Sequence, residues 1–307
     1  MIQLIVSGRL PLNPLLKRHC LCDPDVLLEL AQEASLAMCP VAELADRFSL
    51  ILHDLRMAGA WKRTNRCRLK RTEAMLCAHI SPRFRQDLVL LDVGASDGIT
   101  TVEAARALRR VFDHNIQAYV ADIHLWLLRY RRGPVVEYRA SSGEPIMLRV
   151  GPFGVRLARS RRGSGETNTD PLACLYLRCE RFRSQMMLDR SISLVNPLSR
   201  NEPGLMLLEF DCLRRDQSLV SRVSAVRASN VLNRGYFDQE QIHQAVGHLH
   251  AYLRDGGCLV ISRNADEPTG ETENGSVWIK EPDRFRWVED FGSGSEVKAV
   301  VDEWRSG

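Results

Sequence analysis

The sequence predicts an α/β protein built on a doubly wound, mostly parallel sheet that follows a helical lobe. Three observations predict this fold class. Beyond Asp87, short apolar runs alternate with amphipathic helices, as in a parallel sheet covered on both faces. The first of these runs ends in a loop with two glycines, where such sheets turn against a ligand. The 307 residues suffice for one such domain with a smaller lobe.

The helical lobe is predicted to occupy residues 1–84. Asp23 and Pro24 are suited to the N-cap and first turn of a helix that continues through VLLELAQEASLAM. A second helix is predicted to begin near Pro40, and a third to run roughly from Thr64 to Ile80. We therefore expect this lobe to be entirely helical.

The second domain is predicted to span residues 85–307 and to contain a sheet of the seven-stranded type. The five expected strands are Leu88–Val93, Ile116–Ala121, Leu205–Phe210, Val223–Ala228 and Cys258–Ser262. Helices are expected at Ile99–Arg110 and Asp238–Arg254. The sequence GSVWIKEPDRFRWVEDFGSG predicts a terminal hairpin that extends the sheet antiparallel.

An insertion is predicted at about residues 131–200, because this segment is too long for one crossover. The sequence EPIMLRVGPFGVRLA predicts a β-hairpin, and Pro171–Leu188 predicts a helical stretch. Between them lies a polar loop at Ser160–Asp170. Insertions on such sheets often cover the ligand-binding edge.

Composition and charge exclude few classes of function. A net charge of +4 does not by itself imply a nucleic-acid partner, although a basic cluster lies between Trp61 and Arg71. No apolar run reaches the roughly 20 residues that span a bilayer, so no membrane span and a cytoplasmic location are expected. The nine cysteines are scattered through mostly apolar segments, which predicts buried thiols and no metal site.

The stretch LVLLDVGASDG, which ends at Gly98, allows two interpretations. Its G-x-S-x-G pattern is that of a serine-hydrolase nucleophile elbow, with Ser96 as nucleophile. A hydrolase also needs earlier strands and an oxyanion loop, whereas the preceding 87 residues look helical and lack a His-Gly pair. In the second interpretation Asp92 ends a strand, and Gly94 and Gly98 let the backbone turn against a cofactor.

The sequence DVGASDG resembles the D/E-x-G-x-G-x-G motif of class I S-adenosylmethionine-dependent methyltransferases, with Ser96 at the middle glycine position. The resemblance implies a Rossmann-like methyltransferase domain with S-adenosylmethionine as cofactor. It assigns cofactor binding to Asp92, Gly94, Ser96 and Gly98.

The resemblance extends along later strands. Asp122 ends IQAYVAD, where the resemblance implies a carboxylate that accepts hydrogen bonds from the ribose hydroxyls. Asp211 ends LMLLEFD, at the position that commonly faces the adenine amino group in this family. Asn230 lies at the cofactor side of the fourth strand, so all three are candidate cofactor-binding residues.

A narrower likeness concerns SNVLNRGYFDQEQIHQAVGHLHAYLRDGGCLVIS. It resembles the same region of chemotaxis-receptor glutamate O-methyltransferases, in which R-N-V-L-I-Y-F-D begins the same helix. This chain has Ser229 in place of the arginine and two extra residues before Tyr236. A dinucleotide dehydrogenase is disfavoured, because the G-x-G-x-x-G spacing and a Tyr-x-x-x-Lys arrangement are absent.

The resemblance implies methyl transfer, for which we expect a carboxylate or hydroxyl oxygen of a small molecule as acceptor. A carboxylate acceptor needs no general base, whereas a hydroxyl could use His124 or Tyr236, the two candidate catalytic residues. Two alternatives remain open. The basic lobe could serve a protein or nucleic-acid methyltransferase, or the chain could be a catalytically silent cofactor-binding module.

Overall fold

Two seven-stranded sheets organise the chain. The structure is a computed structural model that describes residues 3–6, 20–35, 41–53, 55–57, 60–62, 64–157, 171–267 and 270–306. The chain folds into two compact units: unit 1 is Met1–Asn65 with His124–Asn201, and unit 2 is Arg66–Ile123 with Glu202–Gly307. Each unit is therefore discontinuous in sequence.

The described residues form nine α-helices and sixteen β-strands. The helices are α1 (Val26–Ser35), α2 (Val41–Leu52), α3 (Lys70–His79), α4 (Ile99–Phe112), α5 (Pro171–Arg178), α6 (Glu180–Arg183), α7 (Pro197–Asn201), α8 (Gln239–Tyr252) and α9 (Lys298–Glu303). The strands are β1 (Gln3–Val6), β2 (Cys20–Cys22), β3 (Arg56–Met57), β4 (Ala60–Trp61), β5 (Val89–Val93), β6 (Gln117–Asp122), β7 (Trp126–Arg132), β8 (Val135–Ala140), β9 (Pro145–Val150), β10 (Phe153–Arg156), β11 (Met187–Ser193), β12 (Leu205–Glu209), β13 (Val223–Ser229), β14 (Leu253–Glu267), β15 (Gly270–Lys280) and β16 (Phe285–Phe291).

Unit 2 contains the doubly wound sheet, with strand order β12-β6-β5-β13-β14-β15-β16. The first five strands are parallel, and β15 and β16 add antiparallel. Alternate residues of the central strands face opposite cores: Leu90 packs in the core with α3 and α4, whereas Leu91 packs in the core with α8 and α9. Because both faces are covered, these strands are mostly apolar, with Asp92 on β5 and Arg227 on β13 as buried charged exceptions.

The prediction of an α/β fold is confirmed, but the prediction of a mostly parallel sheet is wrong, because both sheets are mixed. In unit 2, β14 and β15 form a long antiparallel hairpin. The predicted terminal hairpin is present as β15 and β16. The predicted helix Asp238–Arg254 is α8, and residues from Leu253 onwards already belong to β14.

Unit 1 contains a second sheet, with strand order β11-β7-β8-β9-β10-β1-β2. Its neighbours are antiparallel except β1 and β2, and its core packs against α1 and α2. The three predicted helices of residues 1–84 are present, but strands β1–β4 accompany them and α3 belongs to unit 2. The chain thus differs from the predicted division at residue 84 and from an all-helical lobe.

Non-local pairing explains this difference. Strand β1 takes its hydrogen-bonding partner from β10, about 150 residues later in the chain, and local periodicity carries no signal of such a partner. The predicted insertion contains the expected hairpin, β9 with β10, and the helix α5, but also β7, β8 and β11. The polar loop Ser160–Asp170 lies outside the described residues.

Two further expectations concern cysteines and membranes. Cys22, Cys212 and Cys258 are buried, whereas Cys67, Cys174 and Cys179 are exposed, so the thiols are not uniformly buried. Among the residues that the structure describes, no three His, Cys, Asp or Glu side chains are grouped as a metal site would require. No helix in the same part of the chain combines the length and apolar character needed to cross a membrane.

Candidate functional site

The predicted cofactor-binding residues of unit 2 lie at or near the carboxyl ends of its parallel strands. If the five parallel strands are numbered in sequence order, their order in the sheet is 3-2-1-4-5. The chain therefore continues from β5 towards one edge of the sheet and from β13 towards the other. A crevice at the carboxyl ends of such a strand pair is where doubly wound sheets bind ligands. Asp92 lies near the end of β5, Asp122 ends β6, and Asn230 follows β13.

The loop between β5 and α4 has an unusual backbone. Gly94, Ser96 and Gly98 adopt φ values of +72°, +58° and +82°. A Cβ atom on Gly94 would lie 2.8 Å from Cβ of Val231, so a larger residue does not fit there. Ser96 occupies the left-handed region that favours glycine, which agrees with its predicted place at the middle glycine of the motif.

Asp122 fixes this loop. The backbone N–H of Ser96 donates a hydrogen bond of 2.8 Å to Oδ2 of Asp122. The carbonyl oxygen of Ala121 accepts hydrogen bonds from Gly94 and Ala95, so the end of β6 holds the loop at three backbone groups. A mostly buried carboxylate thus lies directly beside the glycine loop.

Ser96 lacks the surroundings of a hydrolase nucleophile. Its Oγ atom is buried and has no hydrogen-bond partner within the described residues. Two histidines that follow it in the sequence make other contacts: His248 contacts the carbonyl of Cys212, and His250 contacts that of Glu281. In the described part of the chain, no general base is therefore hydrogen bonded to this hydroxyl.

Asp92 lies in a buried ion pair. Its Oδ1 accepts a hydrogen bond of 2.8 Å from Nε of Arg227, and its Oδ2 accepts one of 2.5 Å from Nη2. Thr101 also donates to Oδ2. The carboxylate thus faces the interior of unit 2. Arg227 was not among the predicted site residues. It is the single charged residue in the otherwise uncharged strand VSAVRAS, and this could have identified it from the sequence.

The other two candidate cofactor residues mainly shape loops. Oδ1 of Asp211 accepts the N–H of Leu213 at 3.0 Å, which forms a turn after β12. Asn230 has φ +61°, and its side chain is hydrogen bonded in both directions to Asn264 at 2.7 and 3.0 Å. Asn230 and Asn264, another residue that was not predicted, thus join the ends of β13 and β14.

The two candidate catalytic residues belong to different units. Tyr236 lies in unit 2 on the segment after β13, and 42% of it is exposed. His124 lies in unit 1 and is buried, and its carbonyl oxygen accepts a hydrogen bond of 2.5 Å from Nζ of Lys62. Within unit 2, only Tyr236 of this pair follows a strand at the site edge.

In the part of the basic segment that belongs to unit 2, backbone N–H groups donate to acidic side chains of the same unit. The backbone N–H of Cys67 donates to the carboxylate of Glu103 at 2.9 Å. The backbone N–H groups of Arg71 and Thr72 donate to Glu273 at 2.9 and 2.8 Å. These carboxylates stabilise the start of α3.

Glu73 on α3 has a carboxyl group with a strongly shifted pKa. Burial raises the pKa of its carboxyl to about 7; Arg227 opposes this shift, and Glu103 and Glu273 add to it. Its Oε1 atom is buried without a hydrogen-bond partner in the described residues. A carboxyl that titrates near neutral pH therefore lies close enough to the Asp92–Arg227 pair to interact with it electrostatically.

Comparison with known proteins gives remote structural likenesses. No protein-family model matches the sequence, and no curated protein matches it. Similar solved structures include the citrinin polyketide synthase CMeT domain, at 15% identity and TM-score 0.30, over 60% of this chain and 30% of that one. The 1,6-didemethyltoxoflavin-N1-methyltransferase of Burkholderia thailandensis is similar at 12% identity and TM-score 0.32, over 77% and 68% of the two chains.

A third similar structure is the [4+2]-cyclase SpnF, at 14% identity and TM-score 0.30, over 80% of this chain and 60% of that one. The chain spans 30% to 38% of the length of the first three similar structures.

Proposed function

We propose that unit 2 binds S-adenosylmethionine at the carboxyl edge of β5, β6 and β13, and that the chain transfers its methyl group to an oxygen of a small molecule. The observation that carries the proposal is the contact of Asp122 with Ser96, in a loop with three left-handed residues. The loop of Ser96 follows β5, which is one of the two strands at the switch point of a sheet ordered 3-2-1-4-5. The motif DVGASDG supplies the resemblance to methyltransferases.

The residues present fit this cofactor. A carboxylate at the end of the second strand accepts hydrogen bonds from a pair of ribose hydroxyls, which is the role proposed for Asp122. The left-handed loop from Gly94 to Gly98 brings backbone close to the ligand. When bound, S-adenosylmethionine supplies a methyl group that its sulfonium already activates.

The protein's part is then to hold the acceptor in line with this methyl group and to exclude water. A carboxylate acceptor attacks without losing a proton and therefore needs no general base. This suits the site, because the Asp92 carboxylate is held by Arg227 and is not available as a base. Tyr236, exposed at the same edge of unit 2, is the residue we propose to contact the acceptor.

Calorimetric titration with S-adenosylmethionine and S-adenosylhomocysteine, with NAD as control ligand, tests the proposal. We expect saturable binding of both sulfur nucleosides and none of NAD. At about 100 times the dissociation constant, bound ligand adds about 2.7 kcal/mol of stability, which a thermal melt detects independently. Folded protein that binds neither nucleoside would contradict the proposal.

The variant Asp122→Ala tests the residue assignment. We expect cofactor affinity to fall at least tenfold, because the ribose acceptor and the loop contact are both lost, whereas stability falls by about 1 kcal/mol. Asp216→Ala is the matched control, since Asp216 also accepts a backbone N–H, that of Ser218, but precedes the amino end of β13. Equal affinities of the two variants would remove Asp122 from the site.

A further inference from the structure

The ion pair of Asp92 and Arg227 lies directly beneath the glycine loop. The two residues are in register on neighbouring strands, β5 and β13, and Arg227 is fully buried. The guanidinium engages both carboxylate oxygens, as described above. With Thr101 as a third donor, the carboxylate is oriented from two directions.

The same pair reaches the far side of the loop. Thr101 and Thr100 lie in the first turn of α4, directly after Gly98. Thr101 donates to Asp92, and Nη2 of Arg227 donates to Oγ1 of Thr100 at 3.2 Å. The guanidinium of Arg227, through Thr100, and the hydroxyl of Thr101 therefore tie Asp92, two positions before Gly94, to the turn that follows Gly98. The separation between the two ends of the loop is fixed by this network.

Because both charged side chains are buried, the cost of removing them from water offsets much of what the ion pair contributes to the free energy of unfolding. Nη1 of Arg227 has no hydrogen-bond acceptor in the described residues, and Oε1 of Glu73 has no donor there. A buried ion pair with spare polar atoms stabilises a fold less well than apolar side chains of the same volume would. The pair lies next to the loop Gly94–Gly98, so a role in holding this loop would explain why the two charges are buried here.

We propose that Arg227 is a positioning residue of the cofactor site, which acts through Asp92 and the first turn of α4 on the loop Gly94–Gly98. This inference rests on the proposed function. Arg227 is fully buried, so it would act indirectly: it holds the ends of the loop so that Ser96 keeps its left-handed backbone and directs its N–H to Asp122. Its effect is therefore on cofactor affinity.

The test uses the double variant Asp92→Asn/Arg227→Met, which removes both charges together and avoids an uncompensated buried charge. We expect the dissociation constant of S-adenosylmethionine to rise at least tenfold in protein shown to be folded by circular dichroism. Leu249→Ala is the control for lost stability, because Leu249 is buried in the core on α8. It should bind the cofactor within twofold of wild type.

Thr101→Val keeps the test decisive if the double variant does not fold. It removes one hydroxyl contact to Asp92 and keeps the ion pair, and we expect a threefold to tenfold loss of affinity with the KM for cofactor raised and kcat nearly unchanged. Wild-type affinity in either folded variant would overturn the positioning role of the network. Absence of binding by the wild-type protein would instead refute the proposed function and, with it, this inference.

Discussion

Each unit buries a carboxylate against arginine, Glu137 in unit 1 and Asp92 in unit 2, and the two clusters differ in how completely they are paired. Glu137 on β8 is fully buried and accepts hydrogen bonds from Arg139 at 2.6 Å, Arg183 at 3.0 Å, and Tyr176. Burial opposes its ionisation, but the two guanidinium groups and the phenol outweigh it and lower the pKa of Glu137.

The cluster in unit 2 keeps spare polar atoms. Arg227 and Glu73 each have a buried atom without a partner among the described residues, and the pKa of Glu73 is raised to about 7. The completely paired cluster joins β8 to α5 and α6, whereas the incompletely paired one lies under the glycine loop. The difference agrees with our proposal that the second cluster supports the cofactor site, whereas the first stabilises the fold of unit 1.

Glu137→Ala is the largest perturbation that this comparison predicts. It leaves Arg139 and Arg183 half-buried without their carboxylate, so we expect a loss of about 3–5 kcal/mol. Hydrogen exchange should accelerate in unit 1, in the strands β7–β9, with no change in cofactor affinity. Glu180→Ala, an exposed acid on α6, should change stability by less than about 0.5 kcal/mol. If Glu137→Ala and Glu180→Ala were equally protected from hydrogen exchange, a structural role for Glu137 would be contradicted.

Glu73 predicts a smaller, pH-dependent effect. Between its ordinary pKa of 4.5 and its folded value of about 7, the native state holds more protons than the unfolded state. The free energy of unfolding therefore falls as pH rises through this window, by about 1–2 kcal/mol for a partly exposed group. Urea unfolding at pH 5 and pH 8 measures this loss.

Glu73→Gln should abolish that contribution, because the amide does not titrate. Glu240→Gln, an exposed acid in the first turn of α8, should keep the wild-type pH dependence. If the difference between pH 5 and pH 8 were the same in all three proteins, Glu73 would not be the titrating group.

Ser96 predicts the smallest effects. Ser96→Gly should raise the free energy of unfolding by up to about 1 kcal/mol, since glycine adopts a positive φ without strain. Ser96→Ala should change cofactor affinity less than twofold, because the hydroxyl has no partner in the described residues. Thermal melts and calorimetry measure the two outcomes. A fluorophosphonate label that is lost in Ser96→Ala would instead support the hydrolase interpretation.

Local sequence patterns were sufficient for the five parallel strands of unit 2 and for the helices α4 and α8. The apolar run before Gly94 is β5, and the amphipathic stretch after Gly98 is α4, because burial on both faces and helical periodicity leave direct marks in the sequence. Left-handed backbone at Ser96 follows from its place in the motif. The contact of Asp122 with the loop was not predicted as such, but its position at the end of β6 was.

Local sequence patterns do not predict contacts between residues that lie far apart in the sequence. Arg227 pairs with Asp92 across 135 residues, and β1 pairs with β10 across a similar distance. Strand register decides both contacts, and register depends on tertiary packing rather than on local composition. The mixed sheet of unit 1 was missed for this reason.

The interleaving of the two units sets the order in which the polypeptide can complete them as it leaves the ribosome. All residues of unit 1 have been synthesised once Asn201 is added. At that moment the sheet of unit 2 has only β5 and β6 of its seven strands. The glycine loop and Asp122 are then already made, but Arg227 is not, so the ion pair beneath the loop forms only when a later strand inserts beside β5. Nascent chains stalled when Asn201 has just left the ribosome would therefore expose all of unit 1 but only the first two strands of the unit 2 sheet.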